Sequence, residues 1–278
     1  MAVSCAQNKA QEPVILTNTP EEEEAPAEYK EPVVFTNEDV TFRQIDEHTW
    51  EGNGNLVFGE SLYIVEGENR AILIDAGTRI ADLDKIVAGI TSKPVTLVAT
   101  HVHGDHTGSA INYFPEIWIN AADMVGARTQ MRDYKGEIKF LTDGEVIDLG
   151  GRQIEVIFTP GHTPGSTSFF DKDKHYGFSG DAFGSTNLLL TTNFSTLLNT
   201  ASRIARYMQV NGIEKMYSGH YHGHNPETLQ RVLDLKQMAE EMLEGRRVGE
   251  VKENARGLNA HIHDHGCTVQ YRYPDGVK

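Results

Sequence analysis

Strand-like and helix-like stretches alternate twice along this chain, and this order limits its possible folds more than any other feature of the sequence. From Thr41 to Ile74, short apolar runs are separated by glycine-containing turns, which predicts a β-meander. The runs are Leu56-Val57-Phe58, Leu62-Tyr63-Ile64-Val65 and Ala71-Ile72-Leu73-Ile74. Residues 80–90 then carry apolar side chains at helical spacing, and residues 94–100 return to the pattern of a buried strand.

The second half of the chain repeats this order. The patterns predict strands at 117–120, 145–147, 153–158, 168–170, 176–179 and near 268–273, and helices near 121–131, 195–210 and 226–243. Two rounds of strands followed by helices predict an α+β fold in which two sheets pack face to face and helices cover their outer faces. The expected architecture is a four-layer αβ/βα sandwich.

The charge of the chain argues against a nucleic-acid partner. Forty acidic residues against 25 lysines and arginines give a formal net charge of −15, and no basic stripe is present to displace counterions from a phosphate backbone. No apolar run approaches the roughly 20 residues that a membrane-spanning helix needs. A small molecule is therefore the expected substrate, whereas the sequence leaves the oligomeric state open.

The first 38 residues predict a disordered acidic tail, and residues 39–278 a single catalytic domain. Four consecutive glutamates, four prolines and few large apolar side chains cannot offset the entropy of ordering this tail. Cys5 follows a short Ala-Val-Ser stretch that weakly resembles the cleavage box of a bacterial lipoprotein. Two hypotheses account for Cys5: the protein has a lipid-anchored or periplasmic location, or the residue is a chance cysteine in a disordered tail.

A cluster of potential metal ligands follows the predicted strand at 94–100. It is the H-x-H-x-D-H run His101-Val102-His103-Gly104-Asp105-His106. Because side chains two apart in an extended segment point the same way, His101 and His103 can bind one metal ion. A turn at Gly104 would direct the side chains of Asp105 and His106 away from that ion, so one short loop can supply ligands to two ions. An exposed histidine-rich loop is the alternative interpretation.

Three further residues can complete such a centre. His162 lies in the turn Thr159-Pro160-Gly161-His162-Thr163-Pro164-Gly165 and can complete a site of three histidines. Asp181 follows the strand predicted at 176–179, and its two carboxylate oxygens can bridge two ions. His220 follows Gly219 and can join Asp105 and His106 at the second ion. Each of the three on its own would be an ordinary turn residue, but all lie where loops gather at the edge of a sheet.

The order H-x-H-x-D-H, G-H-T, S-G-D and G-H resembles the metallo-β-lactamase superfamily from about Phe42 to the C-terminus. The resemblance implies that His101, His103 and His162 hold one metal ion. It implies that Asp105, His106 and His220 hold the other and that Asp181 bridges the two. Asp75 matches the family's aspartate at a strand end, which supports a ligand; capping of the following helix is the alternative.

Departures from individual subfamilies narrow the expected chemistry. Diiron redox members have a glutamate where this chain has His103, which favours hydrolysis over reduction of oxygen or nitric oxide. True β-lactamases usually have Cys or Ser in place of Asp181, whereas thioesterases of the glyoxalase II type, lactonases and phosphodiesterases resemble this chain. Lactonase relatives often carry a tyrosine at the position of Gly184, which weakens that particular assignment.

Other histidines and one cysteine are weaker candidates. His222 and His224 are predicted substrate-binding residues beside His220, with a solvated loop as the alternative. Three alternating histidines, His261, His263 and His265, suggest a third metal site or an exposed strand face. Cys267 is predicted to be a core residue.

Together these features predict a hydrolase with two divalent ions, zinc by default and iron or manganese also compatible. A hydroxide that bridges the ions would attack an ester, thioester, lactone or related bond, with Asp105 as the catalytic residue that orients it. A β-lactamase or phosphodiesterase with the same site is one alternative. A mononuclear iron sulfur-dioxygenase is a second alternative, and a non-catalytic binding protein is a third.

Overall fold

A computed structural model describes residues 31–252 and 257–278 of the chain. Its first sheet contains eight strands, hydrogen-bonded in chain order. They are β1 (Val33–Thr36), β2 (Val40–Asp46), β3 (Thr49–Gly54), β4 (Ser61–Glu66), β5 (Ala71–Ile74), β6 (Val95–Val98), β7 (Glu116–Ile119) and β8 (Glu137–Phe140). Pairing is antiparallel from β1 to β5 and parallel from β5 to β8.

The other ten strands within these residues form two more sheets. They are β9 (Val146–Asp148), β10 (Gln153–Phe158), β11 (Thr167–Asp171), β12 (Tyr176–Gly180), β13 (Asn187–Leu190), β14 (Lys215–Ser218), β15 (Glu227–Thr228), β16 (Glu250–Val251), β17 (Ala260–Asp264) and β18 (Cys267–Tyr271). The second sheet has the order β15-β14-β12-β11-β10-β9, and the small third sheet has the order β13-β18-β17-β16.

Four α-helices accompany these strands in the part of the chain that the structure describes: α1 (Leu83–Ile90), α2 (Met124–Gln130), α3 (Phe194–Asn211) and α4 (Leu229–Leu243). The Asn193 side chain accepts a hydrogen bond from the amide of Thr196 and so starts α3, which ends at Gly212 with φ 64°. Thr228 caps α4 in the same way. None of the helices in the described ranges is long and apolar enough to cross a lipid bilayer.

Three separate apolar layers show that the domain has four layers of secondary structure. The middle core lies between the two large sheets and contains Ile72 and Ile74 of β5 together with Phe169 and Phe178 of the second sheet. One outer core joins the first sheet to α1 and α2, and the other joins the second and third sheets to α3 and α4. Adjacent residues of β5 alternate between cores, because successive side chains of a strand point to opposite faces. The predicted αβ/βα sandwich is therefore confirmed.

Some local predictions differ from the structure. The run Leu56-Val57-Phe58 forms a turn rather than a strand, and Val57 is 92% exposed. Strand β1 begins at Val33, within the predicted 38-residue tail, and pairs with β2. The proposed acidic tail and Cys5 otherwise lie outside the described residues. The third sheet was predicted only in part, because β13 and β16 are short and show no clear alternation.

Candidate metal centre

The predicted ligands lie at the C-terminal ends of strands that run in the same direction within each sheet. In the first sheet, β5 and β6 are parallel, and they precede Asp75 and His101. In the second sheet, two antiparallel pairings make β10 parallel to β12, and β12 is parallel to β14. These three strands precede His162, Asp181 and His220. Because ends of parallel strands meet at one sheet edge, residues far apart in sequence converge at a single edge of the sandwich.

Three imidazoles form the first group of potential ligands. His162 Nε2 lies 2.8 Å from His103 Nδ1 and 3.2 Å from His101 Nε2, and the latter two atoms are 3.1 Å apart. His162 Nδ1 lies 2.9 Å from the carbonyl oxygen of Leu189. A carbonyl oxygen only accepts hydrogen bonds, so Nδ1 carries the proton in the neutral ring and Nε2 presents a lone pair.

The same argument fixes the orientation of His101. The Thr100 hydroxyl donates to Asp75 Oδ2 at 2.8 Å and therefore accepts from His101 Nδ1 at 3.0 Å. His101 Nε2 thus also presents a lone pair, 3.2 Å from that of His162. Two facing lone pairs repel each other, whereas a cation between them is bound by both. The donor set of the first group therefore fits a divalent metal ion.

Asp105, His106 and His220 form the second group. Asp105 Oδ2 lies 3.8 Å from His106 Nε2 and 3.6 Å from His220 Nε2. His106 Nδ1 is 2.8 Å from Asp75 Oδ2, and His220 Nδ1 is 3.1 Å from the carbonyl oxygen of Phe58. Both rings therefore direct Nε2 toward Asp105. Asp75 thus contacts His106 directly, the contact that its predicted supporting role requires.

Asp181 lies between the two groups. One carboxylate oxygen is 3.4 Å from His106 Nε2, and the other is 3.6 Å from His162 Nε2 and 3.4 Å from His220 Nε2. Asp181 Oδ1 and His106 Nε2 are buried and lack a hydrogen-bond partner among the residues described. Unpaired buried polar atoms are rare, and here they face one another. A shared cation would satisfy both.

Burial and charge shift the pKa values of these groups. Burial lowers the pKa of His101 well below its usual range and that of His162 to about 4, so both rings are neutral, the form that binds metal. Burial by itself would also lower the pKa of His106, but the carboxylates of Asp181 and Asp75 raise it well above its usual value.

A cavity of about 770 Å³ opens over both groups. Apart from ligands, its polar lining includes Gln130, Asn187, Thr191 and Asn225, and its apolar lining includes Phe58, Leu189 and Leu258. Residues 184–186 also line it and have φ values of 78°, 48° and 103°. Such values are strained for Ser185 and Thr186, and strained backbone is concentrated at functional sites. The position of Gly184 in this wall was not evident from the sequence.

His222 and His224 lie at the mouth of the cavity, where both are exposed. We expect His224→Ala to leave metal content and turnover number unchanged and to alter the Michaelis constant by at most a few-fold, because this exposed ring contacts solvent as well as the cavity. Steady-state kinetics with metal-loaded protein would check this. A large fall in turnover number would show that His224 takes part in the chemistry.

The remaining candidates lie elsewhere. His261 and His263 are on β17, and His265 lies in the following turn with φ 49°. Groups of three or more potential ligand atoms within 4.8 Å occur, for the described part of the chain, only among the ligands named above. The third metal site is thus not supported. Cys267 is fully buried in an outer core, as predicted.

The geometry shows residues that the sequence patterns did not reveal. Thr100 orients His101, the carbonyl group of Phe58 orients His220, and Asp123 contacts both loops of the first group. These side chains and backbone atoms are common in any turn or strand. Nothing in the local sequence distinguishes them.

Comparison with known proteins identifies the family of this chain. Residues 55–220 match the family described as the metallo-beta-lactamase superfamily. This match covers more than half of the chain, and the protein belongs to that superfamily. A metallo-beta-lactamase from Pontibacter korlensis superposes with a TM-score of 0.59 at 19% identity, covering 73% of this chain and 99% of its own. At this identity the superposition shows the shared fold alone.

Curated relatives indicate the class of enzyme within the superfamily. Acyl-coenzyme A thioesterase MBLAC2 of Bos taurus is 26% identical over 213 residues, which are 62% of this chain and 76% of the relative. Hydroxyacylglutathione hydrolase GloC of Haemophilus influenzae is 30% identical over 134 residues, which are 42% of this chain and 63% of the relative. These similarities support the prediction that this chain is a hydrolase.

Proposed function

We propose that this protein is a dinuclear metal-dependent hydrolase that cleaves a thioester, ester or lactone bond of a small molecule. The observation that carries the proposal is the convergence of two ligand groups on the carboxylate of Asp181, which lies within 3.6 Å of His106, His162 and His220. Its two oxygens suit a bridge between two ions. The nitrogen and oxygen ligands favour zinc, and iron or manganese would also be accepted.

Two divalent ions held by these residues would supply an activated water at neutral pH and would polarise the bond that is attacked. The protein contributes orientation and proton transfer. Asp105 lines the cavity and is partly exposed, which supports a role for its carboxylate in orienting the attacking water and accepting its proton. Apolar contacts from Phe58, Leu189 and Leu258 can hold the acyl part of a substrate beside this group.

Thioesters are the first substrates to test, because one of the two curated relatives named above is an acyl-coenzyme A thioesterase and the other is a hydroxyacylglutathione hydrolase. Purified, zinc-loaded protein would be assayed against an acyl thioester, a lactone, a phosphodiester and a penicillin. We expect the highest kcat/KM on a carbonyl substrate other than the β-lactam, since Asp181 stands where true β-lactamases usually have Cys or Ser. Preferential hydrolysis of the phosphodiester or the penicillin would contradict this assignment.

The number of bound ions provides a separate test. Elemental analysis after reconstitution should give close to two ions per chain, because each of the two groups offers three ligands in addition to the shared Asp181. His220→Ala should reduce the value to about one by removing a ligand of the second group. A value of one ion in the unaltered protein, together with iron and oxygen uptake, would favour the mononuclear sulfur-dioxygenase instead.

A further inference from the structure

Asp123 is a buried carboxylate that lies between the two loops carrying the histidines of the first group. It is 4% exposed and ends the short 3-10 helix Ala121–Asp123, immediately before α2. Buried carboxylates are uncommon unless several donors surround them. The donors to Asp123 come from the loop after β6 and the loop after β10.

One oxygen of this carboxylate joins the two loops. Asp123 Oδ2 accepts a hydrogen bond from the amide of Val102 at 3.2 Å and from the hydroxyl of Thr163 at 2.9 Å. Val102 lies between His101 and His103, and Thr163 directly follows His162. A single atom therefore links the residues that flank all three first-group histidines.

The second oxygen fixes the rest of the loop after β10. Asp123 Oδ1 accepts from the amide of Gly165 at 2.6 Å. A Cβ atom at position 165 would lie 2.4 Å from the carboxyl carbon of Asp123, so this approach requires glycine. The Gly165 in the turn after His162 thus has a specific role: it lets the carboxylate reach the backbone.

We propose that Asp123 is a positioning residue that sets the distance between His162 and the pair His101 and His103, and thereby determines the affinity of the first metal ion. The inference rests on the proposed two-ion centre. Metal affinity depends on how well the ligands are held in place before binding, and groups that orient ligands commonly contribute a factor of about 10–100. The contacts of Asp123 flank the first group, so the second ion should be affected much less.

Asp123→Asn and Asp123→Ala test this directly. Asparagine retains one acceptor oxygen but replaces the other by an NH₂ group that faces donors, and alanine removes all three bonds. Titration of metal-free protein with Zn²⁺ in competition with a chromophoric chelator should show one of the two ions bound about 10–100-fold more weakly. Adding His220→Ala to Asp123→Asn should weaken both ions. Adding Asp123→Asn to His162→Ala should weaken the first ion by a smaller factor than Asp123→Asn does in the unaltered protein, because the ligand that Asp123 positions is already absent.

Asp171→Asn is the matched control. Asp171 is also fully buried, lies at the other end of β11 from the centre, and pairs with Arg152 at 2.7 Å. Its replacement should lower the unfolding temperature by breaking a buried ion pair while leaving both Zn²⁺ affinities unchanged. If the Asp123 variants behave like Asp171→Asn, the role of Asp123 is only structural and the proposal is wrong.

A milder pair of variants decides the question if the Asp123 variants do not fold. Thr163→Val removes one donor without changing the shape of the side chain, and Thr163→Ser keeps the hydroxyl group. We expect weaker binding of the first ion with valine and near-normal binding with serine; equal affinity in the two variants would overturn the proposal. Failure of the unaltered protein to bind two ions would instead contradict the proposed function.

Discussion

Asp105→Asn should lower the turnover number by a factor on the order of 10²–10⁴, the usual effect of losing a proton acceptor at the reacting centre. The amide keeps an oxygen that can bind metal but is no longer basic, so the attacking water loses the group that accepts its proton. The three histidines of the first group do not depend on this side chain. The measurement is the turnover number of zinc-loaded protein on the best substrate of the panel.

The control for this experiment has two parts. Metal analysis should show that the first ion is retained, and Asp148→Asn should have near-normal turnover, because Asp148 is an exposed carboxylate at the edge of the second sheet and outside the cavity lining. It undergoes the same change of charge. Near-native turnover of Asp105→Asn would refute the catalytic role of Asp105, even with both ions bound.

Removal of the ions with a chelator should abolish hydrolysis and lower the unfolding temperature substantially. At an ion concentration of about 1,000 times the dissociation constant, one bound ion stabilises the folded state by about 4 kcal/mol. For a domain of this size, that corresponds to a fall of roughly 8–16 °C on removal. The facing lone pairs of His101 and His162 should lower the stability of the metal-free protein further, because they repel each other when no cation lies between them.

Thermal unfolding followed with and without chelator would measure this effect, and excess Zn²⁺ should restore both stability and turnover. His101→Ala supplies a control, since a protein that lacks this ligand should show a smaller change on chelation. Equal unfolding temperatures and equal turnover with and without chelator would exclude a resident metal centre.

Local patterns were sufficient to predict much of the fold. The buried strand β5 is a continuous apolar run, and α3 carries apolar side chains at helical spacing, so the type of each element depends on nearby residues alone. The strand predicted at Leu56-Val57-Phe58 was wrong, because these apolar residues lie in a turn beside the cavity. The same run of three residues is compatible with a strand or with a turn, and only contacts with the rest of the chain decide between them.

The sequence by itself determined which residue types the centre contains, because the H-x-H-x-D-H run and the later histidines and aspartate directly follow strands. Only the tertiary structure decided how they are oriented. Packing of the two sheets brings His162 within 3.2 Å of His101 across 61 positions of sequence, and places Asp123 between their loops. Hydrogen bonds depend on distance and direction in space, and a sequence pattern records only the order of the residues.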